Sequence, residues 1–207
     1  MRFLIALIML ACAVPAWAAD LIVQVRTEAG APVSNAVVTV FPGGRPAPIT
    51  GPQRSFEIAQ RDLQFSPFVL VVPVGSQVAF PNYDAVRHHV YSFSPIRRFD
   101  LRLFAREQSR SVLFDRPGFV PIGCNIHDNM IAFVAVVETA LAARTDSAGR
   151  ATIDNVPGGE TIVRVWHPYL RAPGNQLQLR WSAPANGRQG QVVTVALRPP
   201  PRPHRAY

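Results

Sequence analysis

The segment GCNIHDNM, residues 123–130, sets a thiol, an imidazole and a thioether three residues apart, at Cys124, His127 and Met130. Thiolate and thioether sulfur select soft metals, and imidazole suits copper as well as zinc. Zinc gains nothing from a thioether, and its structural sites usually draw more than one Cys or His from each of two clusters. Two histidines and one cysteine around a weakly bound axial methionine form the donor set of a blue-copper centre. The second histidine must come from upstream, where the sequence offers His88 and His89. Adjacent strand residues point to opposite faces, so only one of the two can face the metal.

The compartment bears on the thiol. The chain opens MRFLIALIMLACAVPAWAAD, a basic start, an apolar run and small residues at Ala16 and Ala18. That pattern predicts a signal peptide over residues 1–18, cleaved after Ala18, and hence export to the periplasm. Of the two cysteines, Cys12 leaves with the leader, so Cys124 has no intrachain disulfide partner. An unpaired thiol in an oxidising space is a liability unless it is buried or occupied. Burial alone is the ordinary fate of a free cysteine; metal ligation is the alternative that its neighbours favour.

The 207 residues are 48% hydrophobic with 20 Pro and 13 Gly, a mixture that suits short strands joined by turns. Phe99–Phe114 is the nearest candidate for a helix, but its alternating Leu101, Leu103 and Ala105 read equally well as strand. Every basic residue is arginine, and the excess is uneven: between Thr161 and Tyr207 there are seven Arg and no acid. Export argues against nucleic acid as the partner. An anionic membrane surface or an acidic protein suits this basic end, and residues 200–207 read as an extended Pro/Arg tail. Five arginines between Arg97 and Arg110 read as a solvated strand edge. His167 reads as structural, His204 as a solvated tail residue, and Trp166 and Trp181 as core or rim aromatics.

Leu21–Phe41 reads as strand, turn, strand about Gly30-Ala31-Pro32. Far downstream, Thr145–Pro168 gives a turn at Asp146–Gly149, a strand at Ala151–Ile153, a second turn at Pro157–Gly159 and a strand at Thr161–Trp166. These two pieces, G-x-PV-x-x-A-x-V and TD-x-x-G-x-x-x-I-x-x-VP-x-G, resemble a carboxypeptidase regulatory-like, transthyretin-type β-sandwich. About a hundred residues separate them, a domain's worth of chain. The resemblance therefore implies a split sandwich, 19–55 and 140–199, with a second β-rich domain inserted at 56–139.

The insert itself resembles a cupredoxin of the plastocyanin and amicyanin branch. The residues that carry the likeness are VPVGSQVAFPNYD (Val72–Asp84), His88-His89-Val90, and Cys124-x-x-His127-x-x-Met130. It implies an all-β Greek-key sandwich or barrel, one type 1 copper, and His88, Cys124, His127 and Met130 as the metal ligands. The whole chain is similar to methylamine utilisation and plastocyanin-like proteins. It departs from the family at Ile122, where an aromatic is usual, at His89, where an asparagine braces the ligand loop, and at Asp128, where a proline often stands. A carboxylate at Asp128 beside His127 would favour oxidised copper.

The resemblance implies a periplasmic one-electron carrier with protein redox partners. Electrons would pass through the edge of His127, set in an apolar surround that Phe119, Pro121, Ile126 and Ile131 could supply. Copper trafficking or storage on the same ligands, and a non-redox scaffold module, are the competing readings. Cys124 with His127 lacks the base and orienting group of a thiol protease, so no enzyme is expected. Oligomeric state is not legible from the sequence.

Overall fold

The computed structural model describes residues 18–51 and 54–200. All of the expected leader except Ala18, and residues 201–207 of the expected tail, lie outside the described residues. Among the described residues the regular elements are strands, apart from one short 3₁₀ turn at Pro173–Asn175.

Period-two burial explains the first sheet. In Ala18–Thr27 the side chains of Leu21, Val23 and Val25 are fully buried, while Asp20, Ile22 and Gln24 between them are half-buried. This strand pairs antiparallel with Arg150–Pro157 and parallel with Arg188–Val195, so the first and last strands of the described residues share a sheet. A second sheet runs in the order Ala142–Arg144, Val37–Pro42, Gly159–Trp166, Gln176–Ala183. Leu21, Val23, Val25, Val38, Val40, Val163 and Val165 form the shared core.

Two residues, Thr145 and Gly149, staple these distant segments together. The buried Thr145 hydroxyl donates to the Val33 carbonyl at 2.8 Å and accepts from the Ala36 amide at 2.9 Å. Gly149 has φ +75°, and a Cβ there would sit 2.5 Å from the Val25 carbonyl oxygen and 2.9 Å from the Val33 nitrogen. Only glycine fits that approach, which gives the T-D-x-x-G pattern a physical cause.

The strands between Phe56 and Val137 make two further sheets. One orders Ser109–Phe114, Ser76–Pro81, Phe56–Glu57; the other orders Val69–Pro73, Ile131–Val137, Gly118–Gly123, Tyr91–Ser92, Phe99–Asp100. Their core contains Phe80, Val90, Phe104, Phe114 and Ile122 together with Cys124 and Met130. A hairpin, Ala59–Arg61 with Gln64–Ser66, lies beside them. The segment Phe99–Phe114 is neither a helix nor one continuous strand. It pairs as strand at its ends, while Arg102 (φ 46°) and Glu107 (φ 63°) take left-handed backbone that breaks the run between.

A third cluster of Val37, Val69, Ala135, Val137 and Trp166 joins the two cores. Phe119 stacks on Trp166 with ring centroids 4.0 Å apart and planes 2° from parallel. Trp166 is thus a core aromatic, and Trp181 packs half-buried against the first core.

His167 is buried at 6% exposure, and its Nδ1 accepts from the Tyr169 amide at 3.2 Å. Burial pulls its pKa down to about 4, against a weaker opposing hydrogen bond to the Ser34 backbone. With a folded pKa below the unfolded 6.5, the unfolded chain takes the proton first. Stability therefore falls as pH drops from 6.5 to about 4, by about 3 kcal/mol at the acid end. Urea unfolding at pH 7 and pH 4.5 checks this: His167→Gln should show a much smaller acid loss than the wild type. Equal losses in the two proteins would remove His167 as the cause.

Candidate metal centre

The hairpin Gly118–Gly123 and Ile131–Val137 presents three of the expected donors. On its first strand Val120, Ile122 and Cys124 point inward; on its second Met130, Ala132, Val134 and Val136 do. Gly123 pairs with Ile131, which puts Cys124 and Met130 side by side at the base of the turn. The Cys124 amide donates to the Met130 carbonyl at 3.2 Å, and the Met130 amide to the His127 carbonyl at 2.9 Å. C-x-x-H-x-x-M is therefore a tight loop whose ends are buried and whose crown is exposed. Asn125, Ile126, Asp128 and Asn129 face solvent, and His127 is half-buried between the two environments.

The fourth donor comes from the loop after Ser76–Pro81. His88 is fully buried and pairs with Phe104 through two backbone hydrogen bonds, at 3.2 and 3.0 Å. Its Nδ1 lies 3.1 Å from Nδ1 of His127 and 4.0 Å from Sγ of Cys124; His127 Nδ1 lies 3.8 Å from the same sulfur. His89 faces away, as alternation requires, with Nε2 2.6 Å from Asp100 Oδ1. Its hydrogen-bond partner is thus Asp100.

These distances fit a shared ion. Nitrogen and sulfur donors bound at about 2.0–2.3 Å sit roughly 3.3–3.9 Å apart around one metal, against the observed 3.1, 3.8 and 4.0 Å. Met130 is buried in the same cluster as Cys124. Two imidazoles, a thiolate and a thioether form a type 1 copper-like set. Among the described residues, His88, Cys124 and His127 are the group of His, Cys or carboxylate side chains close enough to hold a metal.

Asp84 is the functional residue that sequence reasoning missed. Its carboxylate accepts from His88 Nε2 at 2.7 Å and from the amides of Asp62 and Leu63 at 2.7 and 3.1 Å. A carboxylate only accepts, so Nε2 of His88 carries the hydrogen and Nδ1 presents a bare lone pair to the site. Burial raises the Asp84 pKa, but the hydrogen bonds from His88, Leu63 and Asp62 outweigh it and hold the carboxyl below its usual range. Buried Asn82 shapes this loop by donating to the carbonyls of Val86 and Phe104, at 2.9 and 3.1 Å, and accepting from the Asp84 amide at 2.9 Å. The signal was present in N-x-D-x-x-x-H, where three residues separate Asp84 from His88. Asp128 is exposed; the carboxylate in contact with a ligand histidine is Asp84.

The expected apolar surround is corrected at one position. Ile126 is 50% exposed beside His127, Pro121 is exposed and Ile131 is half-buried. Phe119 instead lies against Trp166, covered by a strand distant in sequence.

No protein-family model matches the sequence, and no curated protein matches it either. Solved structures do. The chain is similar to the Cu-containing nitrite reductase from Thermus scotoductus SA-01, at 22% identity over 45% of this chain, with a TM-score of 0.40. That match spans 25% of the reductase. It is also similar to a purple cupredoxin from Nitrosopumilus maritimus, at 22% identity, covering 40% of this chain and 100% of that one, TM-score 0.38. A reduced Cu(I) form of the P52G mutant of amicyanin matches at 20% identity over 50% of this chain and 99% of its own, TM-score 0.39.

Two substitutions separate the histidines. With copper supplied, His88→Ala should lose more affinity than the about 10–100-fold that outer-sphere changes cost, while His89→Ala keeps its copper. Cys124→Ser should abolish intense absorption in the red. Copper titrations and visible spectra read both, and survival of the red band in Cys124→Ser would rule out the thiolate as a ligand.

Proposed function

We propose that this protein is an exported, non-enzymatic one-electron carrier that holds one type 1 copper on His88, Cys124, His127 and Met130. The observation that carries the reading is the convergence of two ring nitrogens and a thiol inside an apolar core. Copper bound there supplies a one-electron couple. The protein residues do the rest. Cys124 and Met130 are fixed by strand pairing and His88 by its bridge to Phe104, so these buried donors have little room to rearrange between oxidation states. Half-buried His127 offers its ring as the edge nearest solvent, with Ile126 exposed beside it for a redox partner protein to cover.

Export to the periplasm rests on the expected leader and on the burial of the lone thiol, Cys124, at 4% exposure. No helix among the described residues is long and apolar enough to cross a membrane. The basic C-terminal region is a candidate for weak contact with an acidic partner or an anionic membrane surface. The segment 56–139 is read as the copper domain, nested in a scaffold made from 19–55 and 140–199.

Handing copper on requires a site that opens. Here the thioether is fully buried, and the other two methionines, Met1 and Met9, fall in the expected leader. That favours electron transfer over trafficking. In the copper-loaded protein, electron self-exchange should outpace copper release to a chelator by orders of magnitude; slow exchange with ready release would select trafficking. Residues 56–139 expressed alone should fold and bind copper while self-associating through Phe119 and Phe133, which lose their cover of Trp166. A disordered fragment, read by circular dichroism, would refute the nested division.

A further inference from the structure

The carboxylate of Asp84 stands one hydrogen bond behind a metal donor and one hydrogen bond behind the protein surface. Its Oδ2 holds His88 Nε2 at 2.7 Å, and its two oxygens hold the amides of Asp62 and Leu63. Those two residues are consecutive and both left-handed, with φ of 55° and 57°, and they turn the hairpin Ala59–Arg61 with Gln64–Ser66. Neither is glycine, so each pays for its backbone and needs an outside partner to keep the turn closed. Asp84 is that partner. Leu63, at the tip, is 48% exposed.

We propose that Asp84 is a positioning residue of the metal centre: it locks His88 in the tautomer whose Nδ1 faces Cys124 and His127, biases the site toward the oxidised metal, and ties that ligand to the surface turn at Asp62–Leu63. The proposal rests on the reading of the site as a copper centre. The lock follows from donor and acceptor chemistry, because an ionised carboxylate can only accept. The bias follows from charge: an anion hydrogen-bonded to a ligand imidazole raises its basicity and favours the higher-charged metal. The tie follows from sharing, since the oxygen on His88 also holds the Leu63 amide. A carboxylate that merely closed the loop would hold Asp62 and Leu63 and leave the redox balance unmoved.

Asp84→Asn separates these roles, since asparagine keeps an oxygen acceptor and the shape but removes the charge. The red absorption should persist, with copper(II) affinity falling by about 10–100-fold and by tenfold more than copper(I) affinity. A tenfold difference equals about 59 mV of upward shift in the reduction potential. Asp84→Glu should return the potential toward that of the wild type, and Asp128→Asn, on the exposed carboxylate, should shift it far less. In the same Asp84→Asn protein without metal, hydrogen exchange at the Asp62 and Leu63 amides should quicken. If Asp84→Asn keeps the wild-type potential, or shifts no more than Asp128→Asn, the proposal is overturned. Should the variant not fold, nitrogen NMR of the metal-free wild type decides: a slowly exchanging Nε2–H on His88 supports the lock, and an Nδ1–H refutes it. Failure of the wild type to bind copper would sink the carrier reading and with it the redox bias, while the metal-free measurements still decide the tautomer lock and the tie to Asp62–Leu63.

Discussion

Three lone-pair donors face one another inside an apolar core, and the rest of the structure is arranged around that fact. His88 Nδ1, His127 Nδ1 and Cys124 Sγ lie within 4.8 Å of each other, and Cys124 and His88 are buried. The thiol hydrogen and one ring hydrogen can serve at most two of the three edges. A cation that accepts all the lone pairs at once resolves the conflict. Sulfur among the donors makes it a soft one.

Holding such donors in place for a cation requires a framework that does not relax around them. Strand pairing provides it at Cys124 and Met130, whose places follow from the register Gly123 to Ile131. At His88 no long strand is available. Its backbone is held by the Phe104 bridge, and its ring by Asp84, which Asn82 sets in place. The wider scaffold adds rigidity from outside: Val69–Pro73 pairs parallel with Ile131–Val137, and Phe119 and Phe133 pack against Trp166. The strand that carries Cys124 is thus clamped on one side by its own sheet and on the other by the second core.

What the sequence made legible was whatever depends on short spacing. C-x-x-H-x-x-M lies within one turn; strand alternation lets only one of His88 and His89 face the site, and the cupredoxin resemblance implied that it is His88. The burial of Leu21, Val23 and Val25 is equally local. Contacts between distant segments were not legible. Phe119 alternates as an outward residue on its strand, and nothing nearby shows that Trp166 covers it. Phe99–Phe114 alternates like a strand, but left-handed backbone at Arg102 and Glu107 breaks it, and neither residue type announces that conformation. Asp128 drew attention by adjacency to His127, whereas Asp84 reaches His88 because Asn82 folds the loop back.

Charge explains why an ionised carboxylate is tolerated so close to a buried ligand. A thiol bound to a metal is deprotonated, so the centre holds one negative charge at Cys124. The depressed pKa of Asp84 adds a second, one hydrogen bond away. Against a divalent cation the two anions give a neutral cluster; against a monovalent one they leave a net negative charge in a low-dielectric interior, which is costly. Asp84 draws its hydrogen bonds from an imidazole and backbone amides and not from an arginine. Copper bound there would therefore meet surroundings charge-matched to its oxidised state. With the donors fixed by packing, this electrostatic balance remains as the means by which the fold sets the preference between oxidation states.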